Sequence, residues 1–167
     1  MHKRLFLKPM PIMTTLHEIP LTMMNNDNNA DIILADDDND EVHLFEMALQ
    51  QVVLRFTLRH AVNGEKLFDL LREQIPDMLF LDIRMPCKDG ISCITEIRSD
   101  RKYDKMPVIM YSSLKYSPFV EETYRKGANL FIEKASSVDE LTAKLKKVFS
   151  VNWQANMLYP EFAAYSI

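Results

Sequence analysis

DMLFLDIRMPCKDG, residues 77–90, sets four consecutive apolar residues between two carboxylates and follows them with a loop that carries Pro86 and closes on Asp89-Gly90. An apolar run without polar alternation, this short and bounded by turn residues, is the pattern of a strand covered on both faces of its sheet. A strand is therefore expected over 77–82, with Asp82 at its end. The loop 83–90 leads into a helix from about Ile91 to Arg98, for which Asp89 is read as a cap and Gly90 as a turn residue.

The same alternation of short apolar runs and amphipathic stretches recurs on both sides. DIILA (31–35) is a buried strand, and EVHLFEMALQQV (41–52) places Val42, Phe45, Leu49 and Val52 on one helical stripe. RFTLRHA (55–61) alternates like a half-buried strand. Asn63 and Gly64 punctuate the turn into EKLFDLLRE (65–73), a helix with Leu67, Leu70 and Leu71 on one face, which Pro76 stops. Toward the C-terminus, MPVIMYSS (106–113) reads as a fourth strand and Pro118–Lys126 as a helix closed by Gly127. NLFIEK (129–134) is the fifth strand and DELTAKLKKVF (139–149) the last helix. Strands joined by crossover helices predict an α/β fold: a doubly wound, five-stranded parallel sheet of flavodoxin-like order 2-1-3-4-5 with helices on both faces.

At 167 residues the chain accommodates one such domain, expected over 30–150, with a flexible extension at 1–29 and a tail at 151–167. A formal charge of −4, from 24 acidic and 20 basic side chains, gives no cationic field for a phosphate backbone. The tail has no basic residue and is too short for a DNA-binding module, so nucleic acid is not an expected partner; its Trp153, Tyr159 and Phe162 are expected to pack on the chain's own core. No run of about 18 apolar residues offers a membrane span, and Lys8, Pro9 and Pro11 interrupt the N-terminal apolar stretch, so neither membrane nor export is expected. Cys87 and Cys93 are too sparse for a disulfide framework or a structural zinc site and read as reduced thiols of a cytoplasmic protein. Three glycines, Gly64, Gly90 and Gly127, form neither a dinucleotide nor a P-loop fingerprint. The four histidines, His2, His17, His43 and His60, lack ligand spacing and are read as surface or helix residues.

Ligands of doubly wound sheets bind beyond the carboxyl ends of the strands. Those ends carry Asp36, Asp37 and Asp38 on the first strand, Asp82 on the third, Ser112 and Ser113 on the fourth, and Lys134 on the fifth. Any one of them alone is ordinary: acids gather at helix N-termini and serine is a common turn residue. Together they converge on one edge. Crowded carboxylates favour a hard cation, and Mg²⁺ takes one or two carboxylates plus phosphate oxygens. With the ion and Lys134 neutralising charge and a serine hydroxyl donating to a phosphoryl oxygen, an anionic Asp can act as nucleophile toward phosphorus.

The segments DIILADDDNDEV, MLFLDIRMPCKDG, PVIMYSS and GANLFIEK together resemble the receiver domain of response regulators, over residues 31–149. The resemblance implies that Asp82 is the phosphorylated aspartate, Asp37 the direct Mg²⁺ ligand and Asp36 its acidic neighbour, with Asp38 leaving the register of the acids open. It implies further that the backbone carbonyl of Arg84 reaches the metal, that Ser112 and Lys134 serve the phosphoryl group, and that Phe131 is the aromatic whose rotamer follows the switch. Such a protein takes its phosphoryl group from a histidine kinase or histidine phosphotransfer protein, dephosphorylates itself slowly and changes its binding to a downstream protein target. A homodimer through the fourth helix, fifth strand and fifth helix also belongs to the picture. The chain departs from the family at Ala135, where proline usually follows the lysine, often with a cis bond; alanine favours trans. That departure motivates a second reading, a pseudo-receiver that binds proteins without phosphorylation. An aspartyl-phosphate hydrolase would want a second Asp two residues past the nucleophile, where this chain has Arg84.

Overall fold

The computed structural model describes residues 29–114, 117–153 and 162–166. The expected extension, save Asn29, and Tyr159 lie outside the described residues. In chain order the elements are β1 (Ala30–Ala35), α1 (Asn39–Gln50), β2 (Phe56–Ala61), α2 (Gly64–Glu73), β3 (Met78–Leu81), α3 (Gly90–Ser99), β4 (Val108–Ser112), α4 (Ser117–Arg125), β5 (Leu130–Glu133) and α5 (Val138–Phe149). The strands form one parallel sheet in the order β2-β1-β3-β4-β5. The flavodoxin-like arrangement expected from the sequence is the one observed.

Alternate strand residues feed two cores. Ile33, Leu79, Leu81, Val108, Met110 and Phe131 pack with side chains of α2, α3 and α4. Ile32, Leu34, Phe80, Ile109, Tyr111 and Ile132 pack with α1 and α5, where Phe45 meets Phe80 edge-on at 4.7 Å between centroids. Fully burying an aliphatic or phenyl side chain is worth about 1.5–3 kcal/mol, so these two layers hold the sheet centre rigid. The stripes Phe45/Leu49 on α1 and Leu67/Leu70/Leu71 on α2 are buried as their spacing requires, while Val42 and Val52 are only half-buried.

Short polar side chains start the helices and thereby fix the loops above the sheet. Asp38 accepts the Asp40 amide, Asn63 that of Lys66, Asp89 that of Ser92 and Ser137 that of Glu140. Because Asp38 caps α1, that helix begins at Asn39, two residues before the start expected at Glu41. Gly90 is the first residue of α3 rather than part of a turn; a Cβ there would lie 2.1 Å from the Asp82 carbonyl oxygen, so only glycine lets α3 press against the end of β3. Gly127, with φ of 91°, ends α4 as its position in the sequence predicts. A short 3-10 turn at Arg101–Tyr103, with no counterpart in the sequence reading, is tied down by Arg98, whose guanidinium donates to carbonyls of Tyr103, Met106 and Gly127 and to Asn129 Oδ1.

Candidate functional site

Backbone pairing continues one residue past each strand and sets the site residues side by side. The Asp36 amide donates to the Ala61 carbonyl, that of Asp82 to the Ala35 carbonyl and that of Lys134 to the Ser112 carbonyl. Asp36 and Asp82 thus leave adjacent strands at one level, and Lys134 rises after β5, two strands from Asp82 and three from Asp36, with a side chain long enough to reach both. Its Nζ lies 2.7 Å from Asp36 Oδ2 and 3.2 Å from Asp82 Oδ2. Carboxylate oxygens of Asp36, Asp37 and Asp82 come within 4.8 Å of one another. Asp36 and Asp82 are buried and Asp37 is exposed, so the group is open to solvent on one side.

The charges do not cancel. Three carboxylates face one ammonium, leaving two formal negative charges over (three minus one). Burial holds Asp36 above the ordinary carboxylate range, an effect that Lys134 only partly offsets. Lys134 sits above the ordinary lysine range: burial opposes its charge, but its close contact with Asp36 and the attraction of both carboxylates outweigh it. Asp36 Oδ2 is buried, and among the described residues its partner is the Lys134 ammonium at 2.7 Å. Three clustered carboxylates, two of them buried, with two charges to neutralise, fit a divalent oxygen-seeking cation such as Mg²⁺.

Of the three consecutive acids, Asp36 and Asp37 join this group, whereas an Asp38 oxygen is committed to the α1 cap. Asp82 Oδ1 accepts its neighbour Ile83's amide at 2.7 Å, which orients the carboxylate. Ser112 ends β4, the strand next to β3, and is buried; among the described residues its hydroxyl has a long 3.5 Å contact from the Leu114 amide. Arg84 lies in the loop after β3 with its side chain exposed. Phe131 is buried on the α4 side of β5, away from the carboxylates. Among the described residues no peptide bond is cis, so the Lys134–Ala135 bond is trans, and the ammonium still meets both carboxylates.

Two features escape a reading of strand ends one, three, four and five. His60, near the end of β2, donates through Nε2 to the Asp36 carbonyl oxygen at 2.7 Å, so it braces the backbone of the acid cluster rather than sitting as a plain surface residue. Extending the same strand-end inspection to β2 finds it. Tyr111, buried on β4, donates its hydroxyl to Glu41 of α1 at 3.1 Å, and its ring stands 5.7 Å from Lys134 Nζ. Burial, reinforced by the Glu41 charge, keeps this phenol protonated. Trp153 packs on the core as expected, its indole donating to the Val148 carbonyl at 3.1 Å, while Phe162 is 44% exposed and it is Tyr165 that is buried.

Comparison with known proteins gives a consistent picture. A family model described as the response regulator receiver domain matches residues 32–146. The transcriptional regulatory protein KdpE of Staphylococcus aureus (strain NCTC 8325 / PS 47) is 28% identical over 117 residues, 70% of this chain and 48% of KdpE. LnrK of Bacillus subtilis (strain 168), also a transcriptional regulatory protein, is 31% identical over 104 residues, 62% of this chain and 45% of LnrK. The chain spans about half or less of the curated relatives it matches. Among solved structures, the phosphorylated cyanobacterial phytochrome response regulator RcpA superposes with a TM-score of 0.69 at 23% identity, covering 80% of this chain and 99% of RcpA. A chain of the CheX-CheY-BeF3-Mg complex from Borrelia burgdorferi gives 0.64 at 26%, covering 76% of this chain and 96% of that one. Among the described residues no helix is long and apolar enough to cross a membrane.

Proposed function

Because this chain belongs to the response regulator receiver domain family of two-component signalling, we propose that it is switched by phosphorylation of Asp82. The observation that carries the reading is the meeting of Asp36, Asp37 and Asp82 around Lys134 with negative charge in excess. Asp36, Asp37, Asp82 and the Arg84 carbonyl are the groups that would hold Mg²⁺, which supplies charge neutralisation for an incoming phosphoryl group. An Asp82 carboxylate oxygen forms the new bond to phosphorus while the bond from phosphorus to a histidine nitrogen of the donor breaks, its electron pair returning to that nitrogen. Lys134 already contacts Asp82 and holds the nucleophile in place; on the phosphorylated site its ammonium and the Ser112 hydroxyl donate to phosphoryl oxygens. Water attack at phosphorus reverses the modification and releases phosphate.

A histidine kinase or histidine phosphotransfer protein is the donor, and a downstream protein is the reader. The α4-β5-α5 face is the surface for that target or for a second copy, with new charge at Asp82 drawing in Ser112 and allowing Phe131 to repack. The protein works in the cytoplasm, consistent with two free thiols. Acetyl phosphate tests the site: intact-mass measurement should show one phosphoryl group added to the wild type with Mg²⁺, and none without Mg²⁺ or in Asp82→Asn. Labelling that persists in Asp82→Asn would remove the assignment, and a wild type that takes up nothing, with Mg²⁺ present, would leave the phosphorylation-independent interaction module.

A further inference from the structure

β5 is an edge strand, yet its edge is taken. The Phe131 amide donates to the Tyr165 carbonyl oxygen at 2.7 Å, and Phe131 and Ser166 form a single parallel bridge. Tyr165 is wholly buried. Its ring lies 5.1 Å from that of Tyr124 on α4 and 6.5 Å from that of Phe131, and its hydroxyl donates to Thr123 Oγ1 at 3.0 Å, itself buried. The neighbours Phe162, Ala164 and Ser166 are exposed. Phe162, though 44% exposed, adds an edge-on contact with the Tyr124 ring at 5.3 Å, so one buried and one half-open aromatic with a single backbone pair carry the attachment, which makes it a latch rather than a sixth strand.

We infer that residues 162–166 are a built-in strap, which occupies the β5 edge and the flank of α4 in the unphosphorylated chain and lets go when Asp82 is phosphorylated. The inference rests on the proposed phosphorylation of Asp82 and names its consequence for this chain. The strap covers the same face on which a target or second copy would dock, so attachment and docking compete. Weak contact suffices to hold it in cis: Trp153 is anchored on the core, and the short connection 154–161 keeps the local concentration of the strap in the mM range. The same weakness makes it displaceable by a modest change at Phe131.

The connection to the acid cluster is spatial. Ser112 and Phe131 alternate onto the same face of the sheet, since Met110 pairs with Phe131 in register and Ser112 follows Met110 by two residues. Drawing Ser112 toward a phosphoryl group on Asp82 opens space on that face beside Phe131, and a Phe131 ring that moves inward withdraws the wall against which Tyr165 is packed. Tyr165 then exchanges one packed neighbour for solvent, and the lone backbone bond to Phe131 loses its shielding.

Residue-resolved hydrogen exchange on the full chain tests this, with Mg²⁺ and beryllofluoride as the phosphoryl mimic and ¹⁹F NMR to show that the mimic is bound. With the mimic bound, exchange of the Phe131 amide should rise at least tenfold while that of Leu79 in β3 stays put, and Asp82→Asn should show neither binding nor the rise. Full-length Tyr165→Ala should exchange Phe131 fast without the mimic; Tyr165→Phe, which keeps the ring and loses only the Thr123 bond, should fall between. Bound mimic with unchanged Phe131 exchange would overturn the strap and leave the phosphorylation reading intact. A wild type that fails to bind the mimic overturns both.

Discussion

The two ends of β1 carry the same kinds of residue and do opposite things. At its start Asp31 receives Arg59 in a two-pronged contact, Nε to Oδ1 at 2.9 Å and an Nη nitrogen to Oδ2 at 2.7 Å, while Asp77 Oδ2 accepts the Asp31 amide. Two more guanidinium hydrogens go to the carbonyls of Leu70 and Gln74. Every strong group there has a partner from the chain itself. At the far end Asp36 and Asp82 share one lysine, and among the described residues no basic side chain pairs with Asp37, so three carboxylates stand against one ammonium. A satisfied cluster rigidifies a fold; an unsatisfied one stores demand for something from outside. Carboxylates alone therefore do not mark a site, but carboxylates with a charge deficit do.

Removing the cation at each end separates the two most sharply. Lys134→Ala strips from a buried carboxylate pair the one positive side chain that meets it among the described residues, a loss of about 3–5 kcal/mol in such settings. Urea unfolding should show that loss without Mg²⁺ and a smaller one with saturating Mg²⁺, because the ion replaces part of the missing charge. Arg59→Ala should cost about 2–3 kcal/mol by leaving Asp31 and two carbonyls short of donors. That cost should be the same with and without Mg²⁺, and Asp82 should still accept a phosphoryl group. A Mg²⁺-independent penalty for Lys134→Ala would mean that the far end is as self-contained as the near one.

Gly90→Ala sharpens the contrast from the backbone. Its Cβ would collide with the Asp82 carbonyl oxygen and press on the Ile83 Cα, so α3 or the end of β3 must shift. Overpacking of this kind costs about 1–3 kcal/mol. The displacement falls on the Asp82 main chain, so acetyl phosphate labelling should slow by more than the stability change accounts for, whereas the Arg59 end should keep its protection in hydrogen exchange.

Much of this was legible in the sequence because it depends on local pattern. The apolar run 78–81, the helical stripes and the turn residues locate all ten elements to within about two residues, and the shifts have local causes: the strand expected over 77–82 loses its two end carboxylates, and α1 starts at Asn39 because Asp38 caps it. Strand ends then gather Asp36, Asp82 and Lys134 by topology alone. The Tyr111–Glu41 bond, the His60 brace and the Tyr165 latch span 70, 24 and 42 residues and follow no period, so nothing local announces them. Tail aromatics could be expected to pack, but which of them is buried depends on where the chain returns to β5.

The register of the three acids offers the finest test of the comparison, because it contrasts a satisfied carboxylate with an unsatisfied one a single residue apart. Asp38 spends an oxygen on the Asp40 amide at 2.9 Å, so Asp38→Ala should cost about 1 kcal/mol of stability, the usual loss for a helix cap, and change Mg²⁺ affinity only a few-fold through its charge. Asp37, exposed and within reach of Asp36 and Asp82, should behave the other way: Asp37→Ala leaves the unfolding midpoint unchanged without Mg²⁺ and weakens Mg²⁺ binding at least tenfold by titration calorimetry. If Asp38→Ala instead abolished Mg²⁺ binding while Asp37→Ala left it intact, the cap would have to break to serve the ion. The cluster would then be Asp36, Asp38 and Asp82, and phosphorylation would carry the added cost of unwinding the first turn of α1.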